Sequence, residues 1–462
     1  MKHYLLLFSL LFFSIQSLAQ TPIIGSWEGQ LSITPAYRLR LVIHITEEAE
    51  KLSATMDSPD QGASGIPIDD ITFANKTLTF TSKMLQIKYE GVLEDEKVNG
   101  TFTQQGYTFP LVLERVVEKP EEPTNTLPYD SEDISVTNTE SGLKIAGTVT
   151  KPKQKGLYPA VVLIAGSGPM NRNSQVMHHK PFADIADFLT REGIVVLRFD
   201  KRGIGQSEGD FGSATFKEFA SDAIAMVEYL KEQNFVDQNQ LGIIGHSEGG
   251  IISQIIGEER PELIDFIVLL ASPGTPTIDI LVHQNMSVLK DYIEEEKIDE
   301  LRSGCHNLFE MVASKNATRE SDSLHLVAFN EKVLSLTKPE YKLAVAQTIN
   351  NPKNIQRNLT AYRTPYFQEF LKFIPSEHLK KVTCPVLAIN GQKDTQVLSE
   401  DNLRAIENAL GKSVVIKEFP TLNHLFIPSE TGDVTEYSTL EGTFSKDVLT
   451  FISDWVKERH SL

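Results

Sequence analysis

The chain has 462 residues, 40% of them hydrophobic, which is enough for a sizeable core and for two or three domains. Acidic side chains number 62 against 44 basic ones, giving a net charge of −18. That balance disfavours nucleic acid or an anionic membrane surface as partner, because phosphate binding needs clustered Lys and Arg.

Residues 1–19 are expected to be a signal peptide. Lys2 and His3 form a short n-region, Leu5 to Ile15 an apolar h-region, and Ser17-Leu18-Ala19 places small residues at the cleavage positions. The apolar run is too short for a bilayer span, and no later stretch approaches the roughly 18 apolar residues that one requires. No cysteine follows the expected cut, so no lipid anchor is expected. The reading is of an exported protein, periplasmic or extracellular, starting near Gln20 and without membrane insertion.

Residues 20–116 read as a small β domain. Strands are expected at 38–46, 77–81, 86–93, 100–103 and 109–115. Alternation in Leu39, Leu41, Ile43 and Ile45 puts four apolar side chains on one face. Evenly spaced short strands suggest a barrel or a sandwich. Residues 117–129, with Glu118-Lys119-Pro120-Glu121-Glu122-Pro123-Thr124, read as a polar, proline-bearing linker.

From about residue 130 the pattern turns to alternating strands and helices, the α/β signature. Its first part spans 130–275 and its second 381–462, around an insertion at 276–380. Ala160 to Ala165 is a buried strand ending in Gly166-Ser167-Gly168-Pro169. Phe199-Asp200-Lys201-Arg202-Gly203-Ile204-Gly205-Gln206-Ser207 is glycine-rich but lacks the spacing of a phosphate-binding P-loop. It reads as support for the rim of a site. Phe216, Phe219, Ala220, Ala223, Ile224, Val227 and Leu230 form one helical core stripe, with Thr215 and Glu218 as a capping box.

The most informative residues are Gly245-His246-Ser247-Glu248-Gly249-Gly250. An apolar strand, Leu241 to Ile244, precedes them and a helical pattern, Ile251, Ile252, Ile255 and Ile256, follows. G-x-S-x-G between strand and helix is a nucleophile elbow, with Ser247 exposed at the turn. A serine hydroxyl is a poor nucleophile without an adjacent base. The fold orders the remaining members acid then histidine. Asp394 follows the strand Pro385 to Asn390, and His424 follows the strand Val414 to Phe419. Imidazole can take the serine proton and return it to the leaving group, while a carboxylate fixes its tautomer. Glu400 and Asp401 compete with Asp394, but Asp394 closes its strand directly. His246 is expected to pack under the elbow rather than act as the base. The backbone N–H of Glu248 supplies one oxyanion donor and that of Ser167 the second, with Gly168 as the fallback.

Three segments, Ala165 to Arg172, Phe199 to Ser207 and the elbow Gly245 to Gly250, resemble those of exported bacterial α/β-hydrolases grouped with serine aminopeptidases and acylaminoacyl-peptidases. Gly25-Ser26-Trp27-Glu28-Gly29 and Met56 to Gly62 look like the small β domain that many of these proteins carry. The resemblance implies an α/β-hydrolase fold, a mostly parallel sheet with a cap insertion, behind a small all-β domain. It implies hydrolysis of carboxylic esters or of amides.

The insertion is too long for the one helix a βαβ unit needs and should be a helical cap. Helix-like stretches fall at 291–302, 308–314, 324–336 and 340–349. His283 and Gln284 are candidates for contacting the substrate, with Tyr362, Tyr366 and Phe367 as further pocket residues; ordinary cap packing is the alternative for each. No H-E-x-x-H or comparable ligand spacing occurs, and no metal or cofactor is expected. Cys305 and Cys384 are expected to be free thiols. His178-His179 reads as a loop or helix-start pair. The expected partner is a small ester or acylated molecule. A peptidase with the same triad, and a non-enzymatic glycan- or lipid-binding protein, are the alternatives.

Overall fold

The structure is a computed structural model that describes residues 23–34, 37–48, 51–58, 63–83, 85–104, 107–116 and 127–459. The expected signal peptide and most of the expected linker lie outside the described residues. The chain divides into two compact units, one all-β and one α/β.

The first unit contains β1 (Gly25–Thr34), β2 (Tyr37–Glu48), β3 (Lys51–Ser58), β4 (Ala63–Pro67), β5 (Asp70–Ala74), β6 (Thr77–Ser82), β7 (Ile87–Glu94), β8 (Lys97–Gln104) and β9 (Tyr107–Arg115). They form one antiparallel sheet in the order β4-β3-β2-β1-β9-β8-β7-β6-β5. The sheet curls until its edges approach: Ile68 N bonds Ala54 O on β3, and the next residue, Asp69, bonds Thr81 O on β6 through its N–H. It is a half-barrel, not a sandwich. Period-2 alternation turns Leu39, Leu41, Ile43 and Ile45 inward onto Trp27, Phe80, Tyr89 and Phe102. Trp27 is buried and its indole N–H donates to Ile23 O at 2.7 Å. It is a core residue.

The second unit begins with a hairpin, β10 (Tyr129–Thr137) and β11 (Lys144–Pro152), where a helix would follow the first strand in a simple βαβ pattern. Asn138 is the reason: its side chain accepts from Glu140 N and Ser141 N and closes a tight turn. Then come β12 (Tyr158–Ile164), α1 (Pro181–Arg191), β13 (Val195–Phe199), α2 (Phe216–Lys231), β14 (Val236–His246), α3 (Glu248–Glu259) and β15 (Phe266–Leu270). The helices α4 (Thr277–Leu289), α5 (Ile298–Ala313), α6 (Arg319–Leu336), α7 (Lys342–Ile349), α8 (Pro352–Tyr362), α9 (Pro365–Lys372) and α10 (Pro375–Leu379) separate β15 from β16 (Val386–Gly391). The chain then runs through α11 (Ser399–Leu410), β17 (Val414–Phe419) and α12 (Lys446–Glu458).

The sheet order is β10-β11-β13-β12-β14-β15-β16-β17, parallel from β13 to β17. Both faces are covered, which is why β12, β15 and the second half of β14 are near-continuous apolar runs. On one face α2, α3 and α11 pack with Phe216, Ile252 and Ile406; on the other, α1 and α12 pack with Phe182 and Ile452. Thr215 and Glu218 form the expected capping box of α2. The cap helices carry their own apolar cluster, including Val282, Leu301, Phe309, Val333 and Tyr362. Among the described residues no helix is long and apolar enough to cross a membrane.

The strand order decides where a site can form. From β12 the chain moves outward to β13, then crosses back to β14 on the other side. The crevice above β12 and β14 is therefore the switch point of the sheet, where ligands of open α/β sheets bind.

Candidate active site

Ser247 stands in that crevice, between the end of β14 and the start of α3. Its backbone has φ 55° and ψ −119°, the left-handed strain expected of an elbow. Two glycines permit the turn. A Cβ on Gly245 would lie 2.2 Å from Gly249 O, and one on Gly249 would lie 1.9 Å from Ile164 O. The conformation is held by Ser247 N donating to Leu270 O at 2.8 Å and Gly250 N donating to Ser247 O at 2.9 Å. Ser247 occupies the N-cap position, but its hydroxyl does not cap the helix and stays free for chemistry.

Asp394 and His424 come from loops beyond two further strands, β16 and β17. His424 Nδ1 donates to Asp394 Oδ2 at 2.7 Å, and both side chains are buried. The other carboxylate oxygen accepts from the backbone N–H groups of Gln396 and Val397 at 2.8 and 2.9 Å. The competing carboxylates Glu400 and Asp401 are exposed and pair with Arg404 instead. His246 packs beneath the elbow, and its Nε2–H donates to His424 O at 2.8 Å. Burial first, and the neighbouring His424 second, push its pKa down to about 3, so it is neutral and its proton is committed. Among the described residues Ser247 Oγ has no hydrogen bond to His424. Catalytic bonds are commonly long without substrate and tighten in the Michaelis complex.

The turn after β12 reaches the serine. A Cβ on Gly166 would lie 3.2 Å from Ser247 Cβ and 3.4 Å from His246 Nδ1, so the two segments touch. Ser167 is exposed beside them, and Gly168 adopts φ 92°. Arg172 anchors the loop that follows, donating to Asp200 Oδ2 at 2.7 Å and to Gly147 O at 3.0 Å. Desolvation acts to lower its pKa, but the Asp200 and Asp133 carboxylates outweigh it and hold the guanidinium above its ordinary value.

The remaining candidates fall elsewhere. His283 Nε2 and Gln284 Nε2 bond Thr395 O and Gln396 O, so both side chains brace the loop that carries Asp394. Tyr362 and Phe367 pack with Phe309 in the cap core. The rings of His178 and His179 lie 3.9 Å apart at a tilt of 40°, and the two side chains bond Leu440 O and Tyr437 O. Cys305 and Cys384 are free thiols, and burial raises them to about 12 and about 11.

One group was not foreseen as a unit. Lys201 Nζ donates to Gly166 O at 2.6 Å and to Glu248 Oε1 at 2.9 Å, and Tyr366 on α9 donates its hydroxyl to Glu248 Oε2. The signal available was Lys201 itself, a cation two residues beyond the end of β13. Its partner, adjacent to Ser247, is visible only in three dimensions.

Residues 175–431 match the sequence profile Hydrolase_4, serine aminopeptidase S33. The chain belongs to this family. The matched span contains Ser247, Asp394, His424 and the whole cap. Among relatives of this S33 chain, Esterase EstD of Thermotoga maritima is 27% identical over 331 residues, covering 71% of this chain and 68% of EstD. An uncharacterized 31.7 kDa protein of Escherichia coli is 23% identical over 277 residues, covering 59% of this chain and 84% of its own. The solved Pyrococcus furiosus esterase Pf2001 aligns at 16% identity and a TM-score of 0.43, covering 73% of this chain and 92% of the esterase.

Proposed function

We propose that this S33-family protein is a carboxylic ester hydrolase working through Ser247, His424 and Asp394 by way of an acyl-enzyme. The observation that carries the reading is the buried 2.7 Å bond between His424 and Asp394, beside a serine in strained left-handed backbone at the sheet's switch point. The relative named as an esterase, EstD, supports the ester reading.

In this mechanism Ser247 Oγ attacks the ester carbonyl carbon and gives its proton to His424 Nε2. Asp394 holds the Nδ1–H and steadies the imidazolium. The oxyanion is met by the backbone N–H groups of Glu248 and Ser167, each donor lowering the barrier by roughly 3–4 kcal/mol. The tetrahedral species collapses, the C–O bond to the alcohol breaks, and the alcohol leaves with the proton from His424. Water then attacks the acyl-enzyme with His424 as base, releasing the acid and restoring Ser247.

A specific observation favours an ester over an aminopeptide. The carboxylate beside the nucleophile, Glu248, is occupied by Lys201 and Tyr366 and is not free to hold a substrate ammonium. The test is hydrolysis of p-nitrophenyl esters from acetate to decanoate by wild type beside Ser247→Ala. Turnover lost in the variant supports the serine route. Wild type inert on every ester, but cleaving aminoacyl amides, moves the assignment to the peptidase.

The chain is further proposed to be exported after cleavage near Ala19. Sequencing the N-terminus of protein from its native compartment tests this: Gln20 supports it, and Met1 rules it out.

A further inference from the structure

The two backbone donors assigned to the oxyanion lie on separate elements, Ser167 on the turn after β12 and Glu248 on the first turn of α3. Nothing covalent fixes the distance between them. Lys201 spans both segments through Gly166 O and Glu248 Oε1. Its ammonium is buried, and 4.7 Å from it lies the centre of the Phe219 ring. Gly166 C=O and Ser167 N–H belong to one planar trans peptide unit and point in opposite directions. Holding the carbonyl on Lys201 therefore also fixes the direction of the Ser167 N–H.

The cap completes this array. Tyr366 donates to the second oxygen of Glu248, and the Ser167 hydroxyl is a further partner of the same phenol. The Tyr366 ring packs edge-on against Phe216 at 5.6 Å, and Glu369 on the same helix accepts from Phe216 N at 2.7 Å. Thus α9 is docked on the start of α2, and its tyrosine reaches across to both donor segments. Burial, then the Glu248 carboxylate, hold the phenol well above its ordinary pKa, so it remains a proton donor.

We infer that Tyr366 is a positioning residue for the ester hydrolysis proposed above: together with Lys201 it sets the spacing of the Ser167 and Glu248 N–H groups, and it makes the oxyanion site depend on the docked cap. The consequence is specific. A group that merely lined the pocket would act on substrate binding. A group that aims the oxyanion donors acts on the transition state and leaves ground-state binding alone.

The experiment is steady-state hydrolysis of p-nitrophenyl butyrate by wild type and Tyr366→Phe, with inhibition by an alkyl trifluoromethyl ketone, whose adduct with Ser247 carries an oxyanion. Tyr366→Phe is expected to lower kcat about tenfold, less than the roughly 10²–10³-fold for outright loss of a donor, with KM within about twofold. Ketone affinity should fall by the same factor as kcat, with a lowered melting temperature because Glu248 Oε2 loses its buried donor. Glu248→Gln, which keeps the side chain's shape, probes the array from its other end and should give the same kcat-centred loss if Tyr366→Phe does not fold. A loss confined to KM, or no loss at all, overturns the inference while leaving the ester hydrolase standing. A wild type that cleaves no ester, or Ser247→Ala protein that still does, removes the functional reading and the inference with it.

Discussion

The Nε2–H of His246 donates to the backbone carbonyl of His424 at 2.8 Å, and the two imidazole centres are 4.8 Å apart. The residue before Ser247, the proposed nucleophile, thereby holds the loop that carries the proposed base. One ring has its proton fixed by a backbone acceptor; the other presents Nδ1 to Asp394.

That buried ring makes stability depend on pH. Burial and the nearby His424 lower the His246 pKa from 6.5 unfolded to about 3 folded. Between those values the unfolded chain binds the extra proton. The contribution is fully present above pH 6.5 and is lost as pH falls from 6.5 towards 3. The slope from this group grows as pH falls through 6.5 and approaches about 1.4 kcal/mol per pH unit near pH 5. Urea denaturation between about pH 7 and about pH 5, where most carboxylates stay ionised, measures it. The slope should flatten in His246→Gln; an equal slope in both proteins would clear His246 of the effect.

Asp394 and Asp401 offer a clean kinetic contrast. Asp394 is buried against His424, whereas Asp401 is on the surface with Arg404. An Asn at 394 offers the His424 ring no carboxylate and favours the wrong tautomer, so kcat should drop by roughly 10⁴-fold. Asp401→Asn should leave kcat and KM unchanged. Equal activity in Asp394→Asn and wild type would remove Asp394 from the mechanism.

What could be read in the sequence follows from how local each signal is. The elbow is set by Gly245, Ser247 and Gly249, which are close in the chain and dictated by one turn. Asp394 and His424 were placed because each follows an apolar strand whose carboxyl end must face the crevice. In the β unit, β2 is legible from alternation and β6 to β9 as short strand-like runs between turns. The strand β1 was not, because Gly29 interrupts the run between Trp27 and Leu31; a Cβ there would lie 2.4 Å from Val112 O on β9. The strands β4 and β5 are five-residue pieces, too short for periodicity to register. His283 and Gln284 lie in the cap, on α4, which falls outside the helix-like stretches legible in the insertion, and side-chain direction depends on how the cap docks, which no local pattern encodes. They meet the backbone of the Asp394 loop.

Gly166 tests the contact between the turn after β12 and the elbow. The methyl of Gly166→Ala would stand 3.2 Å from Ser247 Cβ and 3.4 Å from His246 O, tighter than ordinary packing. The serine or the turn must shift by a few tenths of an ångström. Misplacement at a reacting centre costs up to roughly 10²-fold in rate, so a kcat fall of about 10-fold is expected with little change in melting temperature. Full activity in Gly166→Ala would show that this turn and Ser247 need not be in register. Gly249→Ala is the contrasting case: its methyl would meet Ile164 O at 1.9 Å, and backbone cannot yield that far, so the protein should fail to fold, as read by circular dichroism.

The Lys201 and Glu248 pair predicts an asymmetry between single and double replacement. Their side chains are 6% and 1% exposed, and the ammonium is the partner of Glu248 Oε1. Lys201→Met strips that partner and leaves a buried carboxylate with Tyr366 alone. Uncompensated burial of one charge costs about 3–5 kcal/mol, which is a large share of a domain's stability. Replacing both residues, as Lys201→Met with Glu248→Met, removes the charge that needed compensating, and flexible apolar side chains of similar length can fill the space. The double variant should therefore be more stable than Lys201→Met. It should nonetheless hydrolyse esters poorly, because the Gly166 carbonyl has lost its anchor and Tyr366 its acceptor. Guanidinium denaturation of the single and double variants, beside their kcat values, separates the two roles of the pair. A double variant less stable than Lys201→Met would mean that Glu248 contributes to stability through bonds other than the one to Lys201. A double variant with wild-type kcat would mean that the pair holds the fold and not the oxyanion donors.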